Sequence, residues 1–185
     1  MIKIELLIDK IINEIITLSK DYLPIIINEN ARVENYFSVI TLGIFNELKK
    51  EKLILNYKFQ HLIVENKRKH IDFLIELNDK CYLIELKHLA IDDDVKLKTQ
   101  RNLSFYTSIS ESGKKVGIVG DLEKLENLKQ NTSYGKISLA IISNSPSKEL
   151  VNKKLEQLRK NKNNWNFDYK EVKEYKIGFI ISKMI

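Results

Sequence analysis

The sequence predicts an α/β domain built on a mixed β-sheet, with a pair of helices at its N-terminal end. Three observations carry this. The first 50 residues repeat their apolar side chains at a helical period. Between residues 53 and 87 the pattern switches to alternation and includes two apolar runs separated by Asn78-Asp79. The remainder alternates short strand-like and helix-like segments.

Taken in order, residues 1–22 read as a helix. Ile4, Leu7, Ile8, Ile11, Ile12, Ile15 and Ile16 recur at the i, i+3, i+4, i+7 spacing of one face, and Pro24 is expected to end it or limit its extension. A second helix is expected from about Ala31 to Lys50, with Val33, Phe37, Ile40, Ile44 and Leu48 as its stripe. Glu34, Ser38 and Thr41 lie beside that stripe as a polar flank. Leu53–Val64 reads as one or two strands, and Lys67-Arg68-Lys69 as a loop or strand entry. His70–Leu77 and Lys80–Lys87 read as a β-hairpin, because Asn and Asp tolerate the positive φ that a tight turn requires. A helix is expected from about Asp92 to Ile109 and a turn at Ser112-Gly113. A short strand over Val116–Val119, a helix over Asp121–Lys129 and a strand over Ile137–Ser143 follow. Pro146 and Ser147 open a helix to about Lys162 that buries Val151, Leu155 and Leu158, and Lys176–Lys183 is a last strand. With no internal repeat and no linker, the chain reads as a single domain over 1–185.

Composition narrows the function. The chain has 185 residues, and 6 Gly, 2 Pro and 1 Cys exclude collagen, low-complexity and disulfide scaffolds. Cys81 alone leaves too few thiolates for a zinc finger or an iron–sulfur site. No stretch approaches the ~18 apolar residues of a membrane helix, and Asp9, Lys10, Asn13 and Glu14 interrupt the greasy N-terminus, so the expectation is a cytoplasmic protein without a membrane partner. A net charge of +6 permits nucleic-acid binding.

The chemistry is concentrated in the hairpin. If Asn78 and Asp79 form the turn, opposed residues sum to 157, so Asp72 faces Glu85 and His70 faces Lys87. Asp72, Glu85 and Lys87 then share one side, with Cβ atoms of opposed residues roughly 4.5–5.5 Å apart. Ile71, Phe73, Ile75, Tyr82, Ile84 and Leu86 make the other side apolar. Leu74 and Leu83 lie on the acidic side, so it is at least partly covered. Two opposed carboxylates on a covered surface repel, and one Lys leaves a carboxylate excess. A divalent cation is the natural complement, and an oxygen-only donor set points to Mg²⁺, with Mn²⁺ an alternative. The competing reading is a cross-strand salt-bridge cluster on an open face.

An Asp on one hairpin strand followed thirteen residues later by Glu85-Leu86-Lys87 resembles the PD-(D/E)xK nuclease superfamily, the restriction-endonuclease-like fold. Glu34, in Val33-Glu34-Asn35-Tyr36-Phe37, resembles the additional Glu that a preceding helix supplies in that superfamily; a first-turn acid favoured by the helix dipole is the alternative. The position before Asp72 is Ile71 rather than Pro. Gln100 is followed four residues on by Ser104 rather than the Tyr of some exonuclease-like members. The resemblance covers about residues 30–143. It implies phosphodiester hydrolysis, with Asp72, Glu85 and the backbone carbonyl of Leu86 holding Mg²⁺, Lys87 handling the attacking water, and Glu34 assisting. The implied substrate is nucleic acid, DNA before RNA, and the implied enzyme an endonuclease of restriction or anti-phage defence type. A homodimer fits, because cutting two strands needs two sites.

Lys67, Arg68, Lys69, Arg101, Lys153 and Lys154 are the candidate contacts to the nucleic-acid backbone. Asp92-Asp93-Asp94 reads better as an acidic helix start than as a second metal site, and Trp165 better as a core anchor than as a base-stacking platform. Two alternatives stand beside a DNA nuclease: a catalytically silent nuclease-fold module that binds nucleic acid or a partner, and an RNA-directed nuclease of the same fold.

Overall fold

The structure, a computed structural model, describes residues 2–28, 33–62, 70–78, 80–90, 108–109, 115–128, 133–143, 148–175 and 177–185. The fold is mixed α/β. Its elements, in chain order, are α1 (Ile4–Asn28), α2 (Val33–Lys50), β1 (Asn56–Leu62), β2 (His70–Leu77), β3 (Lys80–Ala90), β4 (Ser108–Ile109) and β5 (Lys115–Val116). These are followed by α3 (Ile118–Glu126), β6 (Gly135–Ser143), α4 (Lys148–Asn161), β7 (Trp165–Val172), a 3₁₀ turn at Lys173–Tyr175 and β8 (Ile177–Met184). Two compact units are present, one of Met1–Leu86 with Gln130–Lys136, the other of Lys87–Lys129 with Ile137–Ile185.

In the first unit, α1 buries Ile4, Leu7, Ile8, Ile11, Ile12 and Ile15, the face read from the sequence. The helix continues through Pro24 to Asn28 rather than ending there. A proline inside a helix removes one bond of the ladder, at a cost of about 3 kcal/mol, and burial of the apolar face outweighs such single-residue preferences. In α2, Phe37, Ile40, Ile44, Phe45 and Leu48 are buried, and so is Thr41, which the sequence pattern placed on a polar flank. Its hydroxyl donates to the Phe37 carbonyl at 2.8 Å, satisfying the one polar group that burial would otherwise strand. The helix ends in a Schellman arrangement. Leu53 N–H reaches the Leu48 carbonyl and Lys52 N–H the Lys49 carbonyl, with Lys52 at φ 58 in the left-handed position.

β1, β2 and β3 form antiparallel pairs in that order. Ile71, Phe73, Ile75 and Leu77 are buried on one side of β2, while Asp72, Leu74 and Glu76 are on the other and at least partly exposed. The buried side seats α2: Phe45 lies edge-on to Phe73 with ring centroids 5.2 Å apart, and 5.8 Å from Tyr57. The second side of the β1–β3 hairpin array is therefore the one that carries Asp72.

Gly135, at the head of β6, belongs to the first unit. A Cβ built there would collide with Cδ1 and Cε1 of Tyr82, so the ring lies directly against the glycine backbone. Gly135→Ala is expected to lower stability by about 1–3 kcal/mol as the ring is forced aside. A urea denaturation midpoint equal to that of the wild type would contradict this.

In the second unit, β8 pairs antiparallel with both β6 and β7. Val151, Leu155 and Leu158 of α4 are fully buried, as the helical spacing requires. Two expectations are corrected here. Ser108–Ile109, placed at the end of a helix from the sequence, is instead strand β4, paired with β5; residues 91–107, the rest of that expected helix, lie outside the described residues. The strand expected over Val116–Val119 stops at Val116, and α3 begins at Ile118, because Gly117 takes φ 90 and ψ −170, a conformation open to glycine. Ile118, Leu122 and Leu125 then form a buried i, i+4, i+7 stripe that outweighs the β preference of Ile118-Val119. Strand β7, not anticipated from its polar sequence WNFDYKEV, is held by its pairing to β8.

Candidate functional site

Two residues join β2 to β3, and the first of them, Asn78, sits at φ 47, as the first centre of a tight hairpin turn requires. Leu77 pairs with Lys80, Glu76 with Cys81, Ile75 with Tyr82, Leu74 with Leu83 and Phe73 with Ile84, the offset of 157 read from the sequence. At the next step Asp72 uses its side chain. Its Oδ2 accepts the backbone N–H of Leu86 at 2.8 Å, which holds the carboxyl beside residues 85 and 86. On the other side of β2 the register places Gln60 level with Asp72, and Gln60 adopts φ 47. A non-glycine residue in this region stores strain of about 1–3 kcal/mol.

Glu85 is 3 % exposed. A carboxylate so buried is held by charge or hydrogen bonding. Lys87 follows two positions along β3 and is half-buried. Burial, and then the charge of neighbouring Lys87, hold His88 down to about 4, so its imidazole is neutral near neutral pH. Glu34 lies in the first turn of α2, and its side chain lies outside the described residues.

The donor chemistry of Asp72, Glu85 and a backbone carbonyl fits Mg²⁺, which binds through one or two carboxylates and keeps several waters. Among the described residues no three His, Cys, Asp or Glu side chains gather into a metal-binding group.

Of the expected nucleic-acid contacts, Lys67, Arg68, Lys69 and Arg101 lie outside the described residues, and Lys153 and Lys154 belong to α4 with side chains likewise outside them. Arg159, at the end of α4, donates to the Phe167 carbonyl at 2.8 Å and so ties the helix to β7. Trp165 is a core anchor, 3 % exposed, with Nε1 donating to Glu126 Oε1 at 2.8 Å. Glu126 also accepts from Lys162 at 2.6 Å and from Asn164 at 3.3 Å. Burial pushes the Glu126 carboxyl up, but the bonds from Lys162 and Trp165 outweigh it and hold the group below the usual range. A depressed carboxyl contributes stability above its unfolded pKa, and that stability is lost as pH falls through the folded value. Glu126→Gln is therefore expected to flatten the acid limb of the stability curve below about pH 4.5. Superimposable acid-unfolding curves for the two proteins would refute that.

Sequence reading missed a concave site on the Asp72 side of the first unit. Asn56, Lys58, Leu74, Glu76, Cys81 and Tyr134 line a pocket of about 240 Å³ there, together with Tyr57. The signal was available for five of the six, since the hairpin register and the β1 alternation put them on one side. Tyr134 is distant in sequence and joins only through the tertiary fold. No helix among the described residues is long and apolar enough to cross a membrane. No family model, no curated protein and no solved structure matches the chain.

Proposed function

We propose that this chain is a Mg²⁺-dependent nuclease, with DNA as its substrate and an endonuclease of restriction or defence type as its class. The observation that supports the reading is the Asp72 carboxyl bound to the Leu86 N–H, the residue after Glu85 on the neighbouring strand. Asp72, Glu85 and the Leu86 carbonyl would hold Mg²⁺ or Mn²⁺. The bound ion would lower the pKa of a water and offset charge gathering on the phosphoryl oxygens. Lys87, two positions after Glu85, would orient the attacking water and, as the neutral amine, take its proton as the water oxygen bonds to phosphorus, while the ester oxygen leaves and takes a proton from solvent water. Glu34 on α2 supports this set. Lys67, Arg68, Lys69, Arg101, Lys153 and Lys154 grip the polyanion. A restriction-endonuclease-like arrangement of the sheet, a cytoplasmic setting and a homodimer with two such centres belong to the same proposal.

One observation favours a second reading, a catalytically silent binding module. The Asp72 carboxyl is already engaged by the Leu86 N–H, a bond that by itself serves hairpin structure. Incubation of plasmid, linear duplex DNA and RNA with Mg²⁺ or Mn²⁺, against EDTA, separates the readings. Metal-dependent DNA cleavage supports the first, and cleavage of RNA alone makes the enzyme an RNA nuclease. Salt-dependent DNA binding without cleavage, unchanged in Asp72→Ala and Glu85→Ala, establishes the silent module and overturns the nuclease.

A further inference from the structure

We propose that the pocket beside Asp72 is a subsite for an unpaired guanine base of the nucleic acid led past the catalytic centre, one turned out of the duplex or lying in a single-stranded stretch. The proposal rests on the nuclease reading for the presence of that nucleic acid. The base contact itself is argued from the pocket.

Position comes first. On β2 the side of the sheet that carries Asp72 continues to Leu74 and Glu76. Cross-strand pairing sets Lys58 level with Leu74, and Asn56 and Cys81 level with Glu76 on its two flanks. The pocket therefore begins two residues from Asp72, about 6.6 Å along the strand. It lies entirely within the first unit.

Size comes next. At about 240 Å³ it falls below the ~300–1,000 Å³ of pockets that enclose drug-sized ligands. One heterocycle fits this scale better than a whole nucleotide. Leu74 supplies an apolar floor, and the Tyr134 ring a wall on which a base can stack. Gly135 next to it has the Tyr82 ring against its backbone, so the segment that presents Tyr134 is itself anchored.

The polar groups select the base. Glu76 offers two carboxylate oxygens that only accept, and Lys58 an ammonium that only donates. Single-stranded bases are read on their Watson–Crick edges. On that edge guanine alone presents two adjacent N–H donors, N1–H and the N2 amine, beside the O6 acceptor. Glu76 accepts the two donors and Lys58 donates to O6. Adenine and cytosine turn a ring nitrogen acceptor toward the carboxylate, and thymine offers it a single donor between two carbonyls.

The test measures binding in EDTA, so cleavage plays no part in it. Fluorescein-labelled short oligothymidylates carrying one central G, A or C are titrated with the full chain and followed by anisotropy. The G-containing strand is expected to bind about tenfold tighter than the other two and than oligothymidylate itself, the discrimination of one good bidentate contact. Glu76 is exposed, so Glu76→Gln leaves the core untouched, and it is expected to bring the four strands to one affinity. Equal affinities in the wild type, a guanine preference that survives Glu76→Gln, or binding to none of the four would overturn the proposal. A guanine preference without cleavage in Mg²⁺ would sink the nuclease reading alone; cleavage without the preference would sink the pocket alone.

Discussion

Glu85→Gln is expected to lower Mg²⁺-dependent cleavage by about 10²–10⁴-fold, the range spanned by loss of one group that acts on the reacting atoms. The substitution keeps the shape of a side chain that is almost fully enclosed and removes its negative charge. It therefore separates what the carboxylate does for the ion from what its volume does for packing. A thermal melt accompanies the assay, and retention of the cooperative transition shows that the fold persists. Lys87→Ala is expected to fall by a similar factor for a different reason. It leaves the carboxylates in place and takes away the amine proposed to handle water, so raising pH should recover part of the lost rate through hydroxide. Asp72→Asn keeps an acceptor for the Leu86 N–H while losing the charge, and is expected to behave as Glu85→Gln does. Undiminished cleavage in Glu85→Gln would remove this hairpin from the reaction.

Trp165→Ala is expected to lower stability by about 3–5 kcal/mol, the largest structural effect anticipated for this chain. Two losses combine. The ring is enclosed at the start of β7, and its removal leaves a cavity. Its Nε1 donor to Glu126 also disappears, although Lys162 and Asn164 remain on that carboxylate. Trp165→Phe isolates the second loss, since most of the buried area survives, and about 1.5–3 kcal/mol is expected for a hydrogen bond to a charged group. Chemical denaturation of the three proteins measures both. A Trp165→Phe variant as stable as the wild type would show that the Glu126 bond contributes nothing net. A Trp165→Ala variant within 1 kcal/mol of the wild type would mean that the site collapses around the gap.

The hairpin was the most legible part of the chain because a period of two gives no freedom. Once Asn78 and Asp79 were placed in the turn, a one-residue slip would have exchanged Phe73 with Asp72, and burial forbids that. The helices α1, α2 and α4 were legible through their apolar stripes. What failed in reading them was local preference. Pro24 does not stop α1, and Thr41 is not on the surface. Both preferences are worth a few kcal/mol at most, and packing sets the outcome. β7 was illegible for the opposite reason. WNFDYKEV does alternate, with Trp165, Phe167 and Tyr169 set between Asn166, Asp168 and Lys170, but the run is short and rich in charge, and pairing to β8 is what holds it as a strand.

The candidate site divides along the same line. The sequence by itself determined the register that pairs Phe73 with Ile84 through Leu77 with Lys80, because turn chemistry and alternation are local and sum to one offset; one further step of it puts Asp72 level with Glu85. Only the tertiary structure decided how deeply Glu85 is enclosed, that Asp72 is tied to the Leu86 backbone, and that Tyr134 closes a pocket over Glu76 and Cys81. Enclosure and cross-chain contact depend on what covers a surface, and the covering residues are distant in sequence. The physical reason is that register is set by the backbone within a few residues of a turn, while burial, charge environment and pocket shape are properties of everything that packs around it.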